Sequence, residues 1–202
     1  MFTYKPTLLA LLLVSVMGSF TSHATAAPKA SAVFAGGCFW CMQPAFDKVH
    51  GVLDTIVGYT GGTTTNPTYE QIGTGTTGHY EAIKVIYDPE KVTFQGLLKI
   101  FWHNIDPLDA QGQFCDKGST YRSAIFYANQ TEKKEAEASK EKVEERFKQP
   151  VATMIIKANE FWPAEDYHQN YYLTNPIRYK FYRYRCGRDA RLMELWGIDY
   201  TH

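Results

Sequence analysis

The sequence has no net charge, its 21 Lys and Arg offsetting 21 Asp and Glu across 202 residues. Without a field of one sign there is no surface suited to nucleic acid or an anionic membrane, and neither is expected as a partner. There is no internal repeat and no low-complexity stretch, and beyond residue 27 no Pro/Ser linker, which leaves one domain with room for a proper core. No apolar run reaches the roughly 20 residues that a membrane-spanning helix needs. Cysteine is scarce, four in all. Cys38 and Cys41 form a Cys-x-x-Cys, but no second pair and no His-x-x-x-His accompanies it, so no metal is expected.

What is present begins with an address. Lys5 precedes the apolar run Leu8 to Met17, and small residues follow through Ser22-His23-Ala24-Thr25-Ala26-Ala27. A basic start, a short apolar segment and an Ala-x-Ala-like end describe a secretory signal peptide over residues 1–26. The mature domain, 27–202, is therefore expected in a bacterial periplasm or outside the cell. An oxidising compartment favours structural disulfides. Cys38 and Cys41 nevertheless enclose almost no chain, which makes them a poor staple and a good redox couple.

The remaining 45% hydrophobic and 15% aromatic composition is patterned. Short β-rich runs at Ser31 to Gly36, Val52 to Tyr59, Glu81 to Tyr87, Tyr121 to Ala128 and Val151 to Ile156 predict strands. Helical spacing predicts helices from Cys38 to Val49, Thr93 to Asn104, Thr131 to Lys148 and Arg188 to Trp196. The rest of the C-terminal third reads as aromatic loop. The alternation predicts an α+β domain of two layers, a mixed sheet with helices packed against it.

Gly36-Gly37 ends the first strand and sets Cys38 at a helix N-terminus, where free backbone N–H groups and the helix dipole favour a thiolate. Cys41 lies one turn on, within disulfide reach of Cys38. Cys115 and Cys186 read as isolated.

The run Gly37-Cys38-Phe39-Trp40 resembles the active-site signature of the type A peptide methionine sulfoxide reductases. The likeness continues through Gly58-Tyr59-Thr60-Gly61-Gly62, Asn66-Pro67-Thr68-Tyr69, Thr77-Gly78-His79-Tyr80-Glu81, Asp116 to Ser123 and Ala164-Glu165-Asp166-Tyr167-His168-Gln169. It implies the ferredoxin-like fold of that family and reduction of methionine S-sulfoxide, with no bound cofactor and a thioredoxin-like dithiol protein as donor. By this resemblance Cys38 is the nucleophile and Glu81 the acid. Tyr69 and Tyr121 bind the sulfoxide oxygen, Phe39 and Trp40 wall the methyl pocket, and Asp116 and His168 contact substrate. A monomer is expected, acting on oxidised proteins.

Two positions depart from the family pattern. Many relatives carry glycine where Cys41 stands, and asparagine is common where Cys115 stands. The resolving cysteine is accordingly Cys41, or Cys186 in the tail, or both in a relay. Two other functions compete. A thiol–disulfide oxidoreductase would use Cys38 and Cys41 but gives Glu81 and Tyr69 no task. A non-catalytic aromatic binding domain would hold all four cysteines in permanent disulfides.

Overall fold

The structure is a computed structural model that describes residues 1–3 and 29–197. Residues 4–26 of the expected signal peptide lie outside the described residues. In chain order the elements are β1 (Ala30–Gly36), α1 (Phe39–Asp47), β2 (Val52–Thr60), α2 (Tyr69–Gly73), β3 (Tyr80–Tyr87), α3 (Phe94–Trp102), β4 (Gly112–Gln113) and β5 (Asp116–Lys117). There follow β6 (Ser123–Tyr127), α4 (Gln130–Phe147), β7 (Met154–Lys157), β8 (Phe161–Pro163), α5 (Tyr171–Thr174), α6 (Pro176–Arg185) and α7 (Arg188–Trp196).

Six strands form one sheet in the order β7-β6-β1-β3-β2-β8. Only β6 and β7 pair in parallel, joined by the long α4 crossover that such a pairing requires. The inner four strands, β6-β1-β3-β2, carry the ferredoxin-like split βαβ order, so the α+β expectation holds.

The two sheet faces differ because the strand period sorts their residues. Phe34, Ile83, Val85 and Ile125 point to one face and pack with Phe46 of α1, Phe101 of α3, Ala136 of α4 and Leu195 of α7. Phe34 is the hub, its ring stacked 5.3 Å from Phe46 and 5.2 Å from Phe101. The opposite face uses smaller groups, Ala35, Ala82 and Ala124, closed by Tyr80 and Phe126. The predicted apolar stripe of α3 is buried, and Thr93 caps that helix by accepting from the Gly96 N–H at 3.1 Å.

Three expectations need correction. Tyr121 lies in a 3-10 turn, Ser119–Tyr121, ahead of the strand. β7 begins at Met154 rather than Val151, because the Val151 N–H is taken by Glu144 Oε1 at 3.1 Å and the Ala152 N–H by the Pro107 carbonyl at 2.7 Å. The supposed C-terminal loop contains α5 and α6. In α6 only Tyr179 is buried, so the helix has too narrow an apolar stripe to announce itself by periodicity. Pro176 at its first turn, after Asn175, was the available signal.

Candidate active site

β1 and β3 run antiparallel with Phe34 opposite Ile83, so the end of β1 emerges beside the start of β3. Two glycines make the exit possible. A Cβ on Gly36 would lie 2.6 Å from Met42 Sδ, and Gly37 turns the chain at φ +79°. Cys38 follows as the residue capping α1, with 6% of its surface exposed. Alternation along β3 puts Glu81 on the helix-covered face with Ile83 and Val85, where it meets the N-terminus of α1.

The free N–H at this helix start goes to the acid, not to the thiol. Phe39 N–H donates to Glu81 Oε2 at 3.0 Å, whereas the Cys38 side chain makes no capping bond. Glu81 is 1% exposed. Burial outweighs the Phe39 hydrogen bond and pushes its carboxyl up to about 8, so Glu81 is protonated at neutral pH. Oε2 is anchored, which leaves Oε1 to carry the proton.

The expectation that the helix terminus would lower the Cys38 thiol is overturned. A helix terminus contributes about 0.3–1 kcal/mol, less than one pKa unit, while full burial moves a group by up to about 3–5 units. Burial, reinforced by the hydrogen bond to Cys41 and by the neighbouring Glu81, holds the Cys38 thiol well above its ordinary value. The hydrogen bond from Cys38 draws Cys41 down to about 7. Near neutrality the two thiols therefore carry one negative charge and share one proton.

Tyr69, at the start of α2, and Tyr121, on its 3-10 turn, are joined by a hydrogen bond between their side chains. Burial raises both phenols, Tyr69 to about 12, and Glu81 and Cys38 both bear on them electrostatically. They remain O–H donors beside the acid and the nucleophile. Glu165 seats the helix that brings Tyr69 in, accepting from the Tyr69 N–H through Oε1 and from the Tyr59 hydroxyl through Oε2, each at 2.8 Å. Phe39 and Trp40, with ring centres 6.5 Å apart, complete an aromatic wall, and Trp40 stacks on Tyr171 at 3.9 Å.

The peptide methionine sulfoxide reductase family model matches residues 30–199 of the 202. The chain belongs to this family. It is 50% identical over 171 residues to the peptide methionine sulfoxide reductase MsrA of Bacillus subtilis, covering 84% of this chain and 97% of that protein. It is likewise 50% identical over 168 residues to that of Bacillus licheniformis, covering 82% and 93%. Among solved structures it resembles methionine sulfoxide reductase A of Corynebacterium diphtheriae, with TM-score 0.66, 34% identity, and 74% and 76% of the two chains covered. Reduced Mxr1 of Saccharomyces cerevisiae gives TM-score 0.70 at 30% identity, over 73% of this chain and 86% of that one. The molecule is a type A reductase, a peptide-methionine (S)-S-oxide reductase working by thiol chemistry.

In the reductase, His168 lies behind the wall instead of on its surface. It is 1% exposed, and its Nδ1 accepts from the Trp40 indole N–H at 3.1 Å. Burial lowers its pKa and Nδ1 is an acceptor, so the ring is neutral with its proton on Nε2, which makes no hydrogen bond among the described residues and lies 3.9 Å from Glu165 Oε2. Its ring touches those of Phe39 and Tyr69 at 5.1 and 4.3 Å. This hydrogen bond, worth about 1 kcal/mol, fixes the Trp40 rotamer.

Cys115 and Cys186 are not isolated. They form a disulfide across 71 residues with Cα atoms 4.9 Å apart, while Cys38 and Cys41 are free. The bridge ties the strand carrying Asp116 to the corner between α6 and α7. Among the described residues the only group spaced to hold a metal is Cys115, Asp116 and Cys186, whose sulfurs are spent on each other. Asp116 is half-buried, with its carboxyl raised by burial, and it accepts from the Tyr182 hydroxyl. Tyr182 also hydrogen-bonds Cys38 and meets Trp40 edge-on at 5.9 Å. Tyr182, Tyr171 and Glu165 went unassigned in the sequence. Two of them are among 14 tyrosines, and only the fold of α5 and α6 singles them out.

Proposed function

We propose that Cys38 attacks the sulfur of methionine S-sulfoxide while Glu81 protonates its oxygen, in oxidised proteins or the free amino acid. The observation that carries this reading is the opposed placement of the two groups at the start of α1. A carboxyl anchored by the Phe39 N–H and raised to about 8 stands beside a buried thiol that shares its proton with Cys41. As Cys38 attacks, Cys41 takes up the shared proton. The oxygen, protonated by Glu81 beside Tyr69 and Tyr121, then passes from the substrate sulfur to the Cys38 sulfur. The substrate S–O bond breaks as the Cys38 S–O bond forms, methionine leaves with the electron pair, and Cys38 is left as a sulfenic acid. Phe39 and Trp40 hold the methyl group, a contact worth about 1 kcal/mol that also excludes water. Asp116 with Tyr182 orients the substrate backbone, and His168 acts through Trp40.

A pocket that fixes the methyl on one side and the oxygen on another leaves Cys38 a single line of approach. With a racemic sulfoxide the reaction is expected to stop near half conversion, leaving the R form. Comparable consumption of both epimers, resolved by chiral chromatography, contradicts this arrangement.

Cys41 is the resolving cysteine. It is free, hydrogen-bonded to Cys38, and one helical turn away, while Cys186 is engaged with Cys115. The resulting Cys38–Cys41 disulfide passes to a thioredoxin-like donor protein, and the cycle uses no cofactor. Cys41→Ser should still release one equivalent of methionine but stop donor-driven turnover, leaving a sulfenic acid that a dimedone-type probe traps. Cys115→Ser and Cys186→Ser should turn over with modest loss. If Cys41→Ser sustains donor-driven turnover, the short route is wrong. The signal-like N-terminus supports a periplasmic or secreted location, where the enzyme would repair exported proteins. Cell fractionation with and without residues 1–26 tests that.

A further inference from the structure

Arg188 opens α7, just past the disulfide-anchored corner, and runs into the core with 1% of its surface exposed. Its Nη2 donates to the Gly36 carbonyl at 3.0 Å and the Asn104 carbonyl at 2.7 Å, and lies 3.1 Å from Met42 Sδ. The guanidinium covers the Phe114 ring at 4.4 Å, and its Nε has no partner. Among the described residues, every hydrogen-bond partner of this buried cation is neutral. A charge in such a place is costly unless a counter-charge forms nearby.

The contacts place it against the strand end that delivers Cys38 and the first turn of α1 that carries Cys41. Arg188 and Arg183 act on Cys41 as positive charges. Asp116 opposes them, and Glu81 faces the same thiol but is neutral below about 8. Tyr179 also faces it and, at about 12, stays uncharged. On the far side, Cys41 borders a cavity of about 410 Å³ that Lys48, Lys180 and Asp189 share. Arg183 spends its charge on Asp189 and is partly exposed, at 20%. Arg188 makes no ion pair among the described residues, although its charge also bears on the half-buried Asp116.

We propose that Arg188 is a positioning residue for the second half of the cycle, supplying the counter-charge under which Cys41 is a thiolate when it attacks the Cys38 sulfenic acid. The inference rests on Cys41 being the resolving cysteine. In that step the Cys41–Cys38 S–S bond forms and the Cys38 S–O bond breaks. The oxygen leaves with one proton from solvent added to its own, as water, and Cys41 is oxidised as Cys38 is reduced. Sulfoxide reduction, which needs Cys41 to accept a proton, gains nothing from Arg188.

The test is a rapid-quench single turnover with one equivalent of a methionine S-sulfoxide peptide and no external reductant. Methionine release and the Cys38–Cys41 link, mapped by mass spectrometry, are followed across a pH series. In Arg188→Gln the midpoint for disulfide formation should rise by about one unit, so that this step slows roughly fivefold at about pH 7. Methionine release should change by less than about threefold, whereas loss of packing would slow both steps. Arg188→Lys should keep the wild-type midpoint, and Arg183→Gln should move it less than Arg188→Gln does. An unmoved midpoint in Arg188→Gln, or parallel loss of both steps, overturns the proposal. If Arg188→Gln does not fold, the lysine variant decides: a retained midpoint supports the role of charge and a raised one overturns it. A wild-type link other than Cys38–Cys41 overturns the resolving assignment and this inference with it. A correct link with an unmoved midpoint overturns this inference alone.

Discussion

Cys38→Ser is expected to abolish methionine formation, in donor-driven turnover and equally in a single round without reductant. The loss should be on the order of 10³-fold or more, because the variant lacks the nucleophile itself. The sulfoxide oxygen must pass to an atom that can hold it and then release it as water when a second thiol attacks, and a serine hydroxyl does neither. The swap is small and leaves the Cys41 N–H bond to the residue-38 carbonyl intact, at 3.0 Å, so the fold should survive. Quantifying methionine after mixing equimolar enzyme and substrate is the measurement. One equivalent released by the serine variant would remove Cys38 from its role.

A thiol–disulfide exchanger would also need Cys38, so the acid separates the two chemistries. Glu81→Gln keeps the shape and can still accept the Phe39 N–H, but it has no proton to give. The reductive step should fall by about 10²–10⁴-fold, while reaction of the Cys38–Cys41 pair with disulfide reagents is retained. The pH profile follows from the directions of the shifts. Activity should rise as the cysteine pair loses its first proton near 7, where Cys41 lies. It should fall as pH passes about 8, where the buried Glu81 ionises and no longer donates. A stopped-flow profile with its maximum between these limits is expected, and the glutamine variant should lose the alkaline fall. Near wild-type rates in that variant at neutral pH would show that the proton comes from elsewhere.

The strand and helix pattern was legible where one face is buried and the other wet, as in α3, whose apolar residues recur at helical spacing and fill the core. It was illegible in α6, which buries little and is held by its neighbours. At the site, Cys38, Glu81, Phe39, Trp40, Tyr69, Tyr121 and Asp116 could be named from motifs because each lies in a short run of distinctive residues. His168 could be named too, but its bond to Trp40 could not, since that joins segments 128 residues apart in sequence.

The sequence by itself determined the chemistry: a thiol after two glycines, a second thiol one turn later, and an acid at a strand start. Local spacing is enough for the two thiols, because α1 and the turn before it are built from adjacent residues, whereas the acid was named only through the family resemblance. Only the tertiary structure decided how protons and electrons are arranged among them. Burial raised Cys38 against the pull of the helix terminus, and the α1 N–H went to Glu81 from 42 residues away. Cys115 met Cys186 across 71 residues, which left Cys41 free. Arg188 entered beside Gly36 from 152 residues away. Desolvation and long-range pairing are properties of the packed chain, and no window along the sequence contains them.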